Sequence, residues 1–479
     1  AGPLHTTIER RAERTTVAAK GTAMLQFGAH AGHWDNDEFQ MAGARGDDLD
    51  PDRKPLGSRS VALITTVLVL GVLIGACAGA LTLLLYTIEH IALGFVETPE
   101  LPGPFLTHPV RRALSLIIGA SCAALLWWLL RTKTQAVPSV RQAVRGTLMP
   151  VWQTVAHVLL QIFIVGCGLS VGREVAPREL GAMLAQRLCR WTGLHRADLQ
   201  TVVAIAAAAG LAGVYNAPLA GGFFAVEILL ADVSAVTVGL SFACAALAAW
   251  VATLIKGTHT FYAIGQVDAI FTPDLMGFAL IAGLVVGVCG AWFRRGAQWA
   301  ESHKASGAAI LWQLPLAGCI TAAIAIWIPQ VMGNGRATAQ MGFAGRPELA
   351  FIPLLLLSFA AKAVVTLMTI RAGASGGVLT PGIALGASIG CALGIVWIQL
   401  FGTNSIGVYA LIGACALLSA SQNAPLMAMT LVMELTEAPS NLYVPVALAC
   451  AVATVTGTLV VGRQAGNRNG LPSFETSNV

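Results

Sequence analysis

Ionisable residues are rare in this sequence, and one pair sits where a helix would start abruptly inside apolar residues. The string is Gly168-Leu-Ser-Val-Gly172-Arg173-Glu174-Val175-Ala176-Pro177-Arg178-Glu179. Two glycines, a charged pair and then a proline suited to a first helical turn describe a new helix beginning in mid-segment. A charge in such a place costs about 2.5–3.5 kcal/mol on insertion scales, so it marks a functional site. The first turn of a helix carries unpaired N–H groups and the positive end of the helix dipole, which together bind anions. Ionised, Glu174 would fill that anion site itself. Protonated, it would lose its attraction and swing away, leaving room for a halide-sized ion. One carboxylate then serves as gate and as proton acceptor. The competing reading is a structural ion pair, Arg173–Glu174 or Arg178–Glu179, at a membrane edge.

A second string has the same glycine-to-proline form without the charge: Gly373-Ala-Ser-Gly376-Gly377-Val378-Leu379-Thr380-Pro381. It reads as a second helix start that offers backbone N–H groups to the same ion. Gln135-Ala136-Val137-Pro138-Ser139 reads either as a third start, with Gln135 or Ser139 as a side-chain donor, or as a proline-containing turn. The chain also repeats itself. Asn216-Ala217-Pro218-Leu219 precedes Glu227 by 11 residues, and Asn423-Ala424-Pro425-Leu426 precedes Glu434 by 11. Two halves, about 60–255 and 270–462, therefore follow one plan, and repeated halves with Gly- and Pro-broken helices point to a transporter whose site lies between them.

The elements that must position these residues are membrane helices. Of 479 residues 56% are hydrophobic and 11% charged, with a mean hydropathy of +0.72, values foreign to a soluble domain. Apolar blocks long enough to cross about 30 Å of hydrocarbon recur. The first, Val61 to about Leu93, carries Gly71, Gly75 and Gly79 at four-residue spacing, which admits a neighbouring helix closely. A second runs from about Ala113 to Leu130. Further segments are expected at about 151–169, 173–190, 198–213, 217–231, 234–255, 273–293, 309–330, 349–370, 377–400, 405–420, 423–436 and 442–461. Several are too short to span alone and need protein or a water-filled cavity around them.

The basic stretch Arg131, Lys133, Arg141, Arg145 is expected on the cytoplasmic side, with both termini cytoplasmic. Residues 1–58 read as a polar, disordered arm and 463–479 as a short polar tail. His30, His33, Asp35 and Asp37 in the arm read as solvated rather than metal-binding. The net charge of +5 gives a nucleic-acid partner little support, and the ten cysteines, without metal spacing, read as small buried hydrophobes. Metalloprotease, serine-hydrolase and phosphate-loop motifs are absent, and His157 stands alone on an apolar helix, which argues against an enzyme and against a cofactor.

The Gly-Arg-Glu string at 172–174, the Gly-Gly-Val-Leu-Thr-Pro string at 376–381, both Asn-Ala-Pro-Leu strings and Glu434 resemble the pore signatures of the CLC chloride channel family, in one order over about 60–460. The resemblance implies an all-α integral membrane fold: an inverted-repeat bundle of many tilted and partial helices, one pore per subunit of a homodimer. It implies no cytoplasmic regulatory domains, as in prokaryotic members. Position by position it makes Glu174 the gating glutamate, Arg173 and Val175 its neighbours, Val378 and Leu379 the pair whose amides face the anion, and Gln135 the match of an inner serine.

Departures from the pattern bear on ion choice and coupling. Val175-Ala176 replaces Gly-Pro after the glutamate, Leu379 replaces phenylalanine, and no tyrosine matches the one that faces the central anion, since Tyr443 precedes the last helix. The inner proton-transfer glutamate aligns with Ile228, one residue after Glu227. Glu227 is therefore either a structural carboxylate or a member of an inner proton path. The expected function is movement of chloride or a similar small anion, as channel or proton-coupled antiporter in the cell membrane. The alternative is a fluoride/proton antiporter, for which the longer amide arm of Gln135 gives a reason.

Overall fold

The computed structural model describes residues 56–465, apart from 193, 195, 231–232, 259, 266, 268–271 and 403. The expected arm to residue 55, with its histidines and aspartates, and the tail from residue 466 lie outside the described residues. All regular structure described is helical, and nine helices are long and apolar enough to cross a membrane. The first half runs α1 (Leu56–Leu93), α2 (Pro109–Lys133), α3 (Val140–Val144), α4 (Val151–Gly166), α5 (Val175–Thr192), α6 (Arg196–Tyr215), α7 (Pro218–Phe224, continued by a π-turn to Leu229) and α8 (Ala235–Lys256). The second runs α9 (Pro273–Ser302), α10 (Ile310–Trp327), α11 (Arg336–Phe343), α12 (Ile352–Arg371), α13 (Leu379–Phe401), α14 (Ile406–Gln422), α15 (Pro425–Thr436) and α16 (Tyr443–Ala465).

Helix packing follows small residues, since lipid supplies no hydrophobic drive between helices. On α1, Gly71, Gly75 and Gly79 lie against Cys244, Ala248 and Ile255 of α8, so a side chain at Gly71 or Gly75 would meet the α8 backbone and one at Gly79 the Ile255 side chain. The second half repeats the device: Gly283 and Gly287 of α9 lie against Ala449, Val452 and Ala453 of α16. Leu and Val side chains on the opposite faces of these helices stay exposed, as lipid-facing residues do.

The halves also exchange equivalent contacts. Asn216 and Asn423 both adopt left-handed backbone, at φ 60° and 55°, which Asn tolerates at a helix C-terminus, and each is followed by a proline at the start of the next helix. Glu434 of α15 accepts hydrogen bonds from the N–H groups of Leu219 and Ala220 on α7, both at 2.9 Å. Glu227 of the π-turn accepts from Leu426 and Met427 on α15, at 3.0 and 2.7 Å. Each half's glutamate thus caps the other half's broken helix. Thr253 and Thr458 complete the symmetry by donating to Asn216 Oδ1 and Asn423 Oδ1.

The Gln135–Ser139 string does open a helix, α3, while one short element, α11, escapes sequence reading. Ser139 starts α3 as a capping box with Gln142. Polar α11 is buried and held through Arg336, whose Nε donates to the Phe261 carbonyl at 2.9 Å.

Removing one cap strands two amide N–H groups away from water, at about 1–3 kcal/mol each. Glu434→Leu is expected to lower the detergent-solubilised protein's thermal midpoint markedly, with Glu434→Gln lowering it less because one acceptor oxygen remains. Light-scattering-corrected unfolding by intrinsic fluorescence reads both; equal midpoints for wild type and Glu434→Leu would sink the reciprocal-cap account.

Candidate functional site

Two broken helices meet at the centre. Chain from α4 turns at Gly168, whose φ of +98° suits glycine, and runs extended to Gly172. There it forms a two-bond antiparallel bridge with the segment ahead of α13: Gly172 N–H donates to the Gly377 carbonyl at 2.7 Å and Gly377 N–H to the Gly172 carbonyl at 2.8 Å. The bridge ties the start of α5 to the start of α13, one from each half. Leu379 opens α13 with Val378 as its N-cap, and that N-cap offers no side-chain bond. The orphan N–H groups are left for another partner.

Glu174 is that partner. It is wholly buried. Its Oε1 accepts from the Leu379 N–H at 2.8 Å, and its Oε2 faces the Tyr215 hydroxyl at 3.1 Å and Thr380 Oγ1 at 3.3 Å. Tyr215 and Thr380 are themselves 2.6 Å apart. Every contact brings a donor to the carboxylate, the arrangement that an ionised carboxylate, an acceptor only, requires. Glycine is required on both sides: a Cβ on Gly172 or Gly377 would collide with the Glu174 carboxylate.

The fixed positive charge stands back from the seat. Arg173 is buried over the rings of Tyr215 and Phe261, at 5.6 and 5.2 Å, and its Nε and Nη1 take no hydrogen bond among the described residues. Arg336 covers Phe261 at 4.3 Å, so Phe261 lies in contact with two guanidinium groups. Lys362 is buried and spends its ammonium on the Val331 and Gly333 carbonyls, at 2.9 and 2.7 Å.

The structure brings some of the expected residues together and separates others. Glu174, Arg173, Val378 and Leu379 converge, and Val175 begins α5 beside them. Gln135 does not join the seat. It is exposed and lines an open pocket of about 680 Å³ with Lys133, Thr134, Pro150, Val151, Trp152 and Gln153. Glu227 has both oxygens committed to the α15 amides. Neither of the two ion pairs read as alternatives forms: Arg178 turns to the Glu174 carbonyl at 3.0 Å and Glu179 to Gln161. His157 does not stand alone, because Gln153 and Gln161 flank it on the same buried face of α4.

Sequence reasoning missed Tyr215, Thr380 and Phe261. Tyr215 immediately precedes the first Asn-Ala-Pro-Leu string and Thr380 lies inside the glycine-to-proline string, so position marked both; a search for a tyrosine in the last helix passed over them.

The comparisons name the class that this fold and site define. The family model for voltage gated chloride channels matches residues 114–458. The voltage-gated ClC-type chloride channel ClcB of Salmonella dublin is 30% identical over 360 residues, covering 72% of this chain and 84% of its own. ClcB of Escherichia coli O81 strain ED1a is also 30% identical, over 362 residues with the same coverage. This multi-pass membrane protein belongs to the CLC family. Among solved structures, a slow cyanobacterial Cl⁻/H⁺ antiporter superposes with a TM-score of 0.69 at 22% identity, covering 88% of this chain and 100% of its own. A CLC-type fluoride/proton antiporter gives 0.67 at 21%, covering 85% and 98%. At that identity the likeness is one of fold.

Loss of one neutral donor from the seat costs the ionised carboxylate about 1 kcal/mol. If departure of Glu174 permits flux, Thr380→Val, which weakens its hold, is expected to raise anion efflux severalfold, and Gly377→Ala, which evicts the carboxylate, to leave efflux nearly independent of pH. Liposome efflux between pH 4 and 8 reads both, and efflux unchanged in both variants would exclude this seat as the gate.

Proposed function

We propose that this chain moves chloride through a pore in each subunit, with Glu174 as the gate and protons as its coupled counter-substrate. The observation that carries the reading is the carboxylate held by the Leu379 amide at the N-terminus of α13. An anion and this carboxylate compete for one seat. When Glu174 is ionised it takes the Leu379 amide, the Tyr215 hydroxyl and the Thr380 hydroxyl. A proton added to the carboxyl introduces a donor where the neighbours are already donors and cancels the attraction of the helix dipole. The side chain leaves and a partly dehydrated anion takes the amide. No lysine or arginine ammonium or guanidinium contacts the Glu174 carboxylate among the described residues, so the ion is held by dipoles and escapes readily.

Chloride is favoured over fluoride as the ion. The curated relatives with the same coverage are named as chloride channels, and Gln135, which gave fluoride its reason, lies on the rim of an open pocket rather than at the seat. Glu227 is a structural carboxylate in this reading, since it completes the cap on α15. The pocket at Gln135, edged by Lys133, is the cytoplasmic mouth, and two copies of the chain form the working unit in the cell membrane, with both termini cytoplasmic.

The test is anion efflux from liposomes carrying the purified protein, with chloride and fluoride compared under an imposed pH gradient. Chloride efflux accompanied by uphill proton movement is expected, and Glu174→Gln should keep the efflux and abolish the proton movement. Fluoride efflux in strong excess over chloride would overturn the ion assignment. Loss of all efflux in a folded Glu174→Gln protein would overturn the gating role.

A further inference from the structure

A proton that reaches Glu174 from the Gln135 side needs an acceptor on the way, and position 228, an isoleucine, supplies none. Helix α4 carries a polar stripe in otherwise apolar sequence: Gln153, His157 and Gln161, at four-residue spacing and therefore on one face. All three are buried, Gln161 completely. The stripe starts in the open pocket, which Gln153 lines together with Gln135. It ends at Glu179 of α5, whose Oε2 accepts from Gln161 Nε2 at 2.7 Å. Glu179 is buried and lies five residues, about 7–8 Å of helix rise, beyond the gating carboxylate.

The hydrogen bonds assign the roles. Trp127 Nε1, a donor only, donates to His157 Nδ1 at 3.2 Å, which leaves the proton of the neutral ring on Nε2. That nitrogen faces Glu179 Oε2 at 3.8 Å. His157 therefore holds one tautomer with its N–H toward the carboxylate that Gln161 anchors, while Glu179 is the group able to gain and lose a proton. Gln161 Oε1 is buried with no hydrogen-bond partner, an open acceptor beside that carboxylate that a protonated Glu179 or a water would fill.

The charges facing the cluster come from three elements. Arg178 lies on the same helix, Arg131 ends α2, and Lys304 follows α9; all three act on Glu179. Arg131 and Lys304 are also the charges that act on His157. Arg131 is itself anchored to the Gly373 carbonyl at 2.8 Å and to Ser375 Oγ at 2.9 Å, and Lys304 to Glu301 and Ser375. The cations are thereby committed to the chain ahead of α13 and to Glu301, and none bonds directly to Glu179 among the described residues.

We infer that Glu179, reached along the Gln153–His157–Gln161 stripe, is the inner proton acceptor that exchanges protons between the Gln135 pocket and Glu174. The inference rests on the proton-coupled reading above. One proton passes from water in the pocket to a Glu179 oxygen and then, through intervening water, to Glu174; no covalent bond to a heavy atom changes.

The experiment has two readouts on the purified protein. In chloride-loaded liposomes, Glu179→Gln, which keeps an acceptor for Gln161 but cannot titrate, is expected to retain chloride efflux within about twofold while proton movement falls at least about tenfold; Glu227→Gln should leave proton movement unchanged. Proton movement in Glu179→Gln equal to wild type overturns the inference. In parallel, infrared difference spectra across a pH step are recorded on Glu174→Gln and on the double variant Glu174→Gln/Glu179→Gln. A carboxylic-acid carbonyl band present in the first and lost in the second assigns the proton to Glu179, and its absence from the first overturns the inference. Should the wild type move chloride without protons, the coupled reading fails and the transport role of Glu179 fails with it, while the infrared band still decides whether Glu179 binds a proton.

Discussion

A helix that ends inside a membrane protein leaves amide N–H or carbonyl groups where water does not compensate them, and the fold is organised by how those ends are met. Interrupted helices put the ends there; the buried charges meet them. Glu434 and Glu227 cap the starts of α7 and α15. Arg111 reaches back to the carbonyls at the end of α1, Lys256 to Gly213 and Val214 at the end of α6, and Arg131 to the Gly373 carbonyl just after α12. Carboxylates stand at N-termini and cations at C-termini, as the helix dipole demands. Buried charge here is not decoration of a core that apolar packing already specifies. It is what allows helices to stop at the depth where an ion must bind.

The repeat follows from the same constraint. A half with a broken helix has an unmet N-terminus and a glutamate 11 residues after the asparagine of its Asn-Ala-Pro-Leu string, and neither is satisfied within its own half. Exchange between halves satisfies both at once. The Gly172–Gly377 bridge does likewise for the extended segments. Cores that bury Ala and Gly along α13 and α14 then let the backbones approach closely: Gly386 and Gly390 pack directly on Gly413 and its neighbours.

Most of this architecture was legible before any coordinates. Long apolar blocks, the doubled Asn-Ala-Pro-Leu string and the glycine-to-proline strings placed most spanning helices to within a few residues, α9 running nine residues past its expected end at 293, and brought Glu174 and Leu379 to one site. Four kinds of residue were not legible, for physical reasons. Short α11 is polar yet buried, so hydropathy reads it as a loop; only the partners of Arg336 explain it. Tyr215 closes a helix, and nothing in its local sequence says that its hydroxyl turns to a carboxylate 41 residues earlier. Phe261 sits in a connecting loop, and its contact with two guanidinium groups is a tertiary fact. The Gln153–His157–Gln161 stripe was visible as spacing, but a lone histidine is ordinarily a satisfied core residue, and its weight changes only once Glu179 is found beside it.

Three glutamates, Glu174, Glu227 and Glu434, accept backbone amides from a helix N-terminus of the other half, and the difference in what holds them supports the proposal that Glu174 is the one that moves. Glu227 and Glu434 each accept two backbone amides, one per oxygen, and no other group stands ready to replace them, so withdrawal strands two donors. Glu174 accepts one backbone amide; its other two donors are rotatable hydroxyls 2.6 Å apart, one of which can turn to the other when the carboxylate leaves. Its departure therefore strands one backbone N–H and one rotatable hydroxyl proton, and an arriving anion accepts from both. An unmet buried donor costs about 1–3 kcal/mol, so each fixed cap, with one more backbone amide to satisfy, is secured by about that much more than the proposed gate. The fold thus uses one chemistry for both purposes and separates anchor from gate by the number of backbone donors that each carboxylate must satisfy.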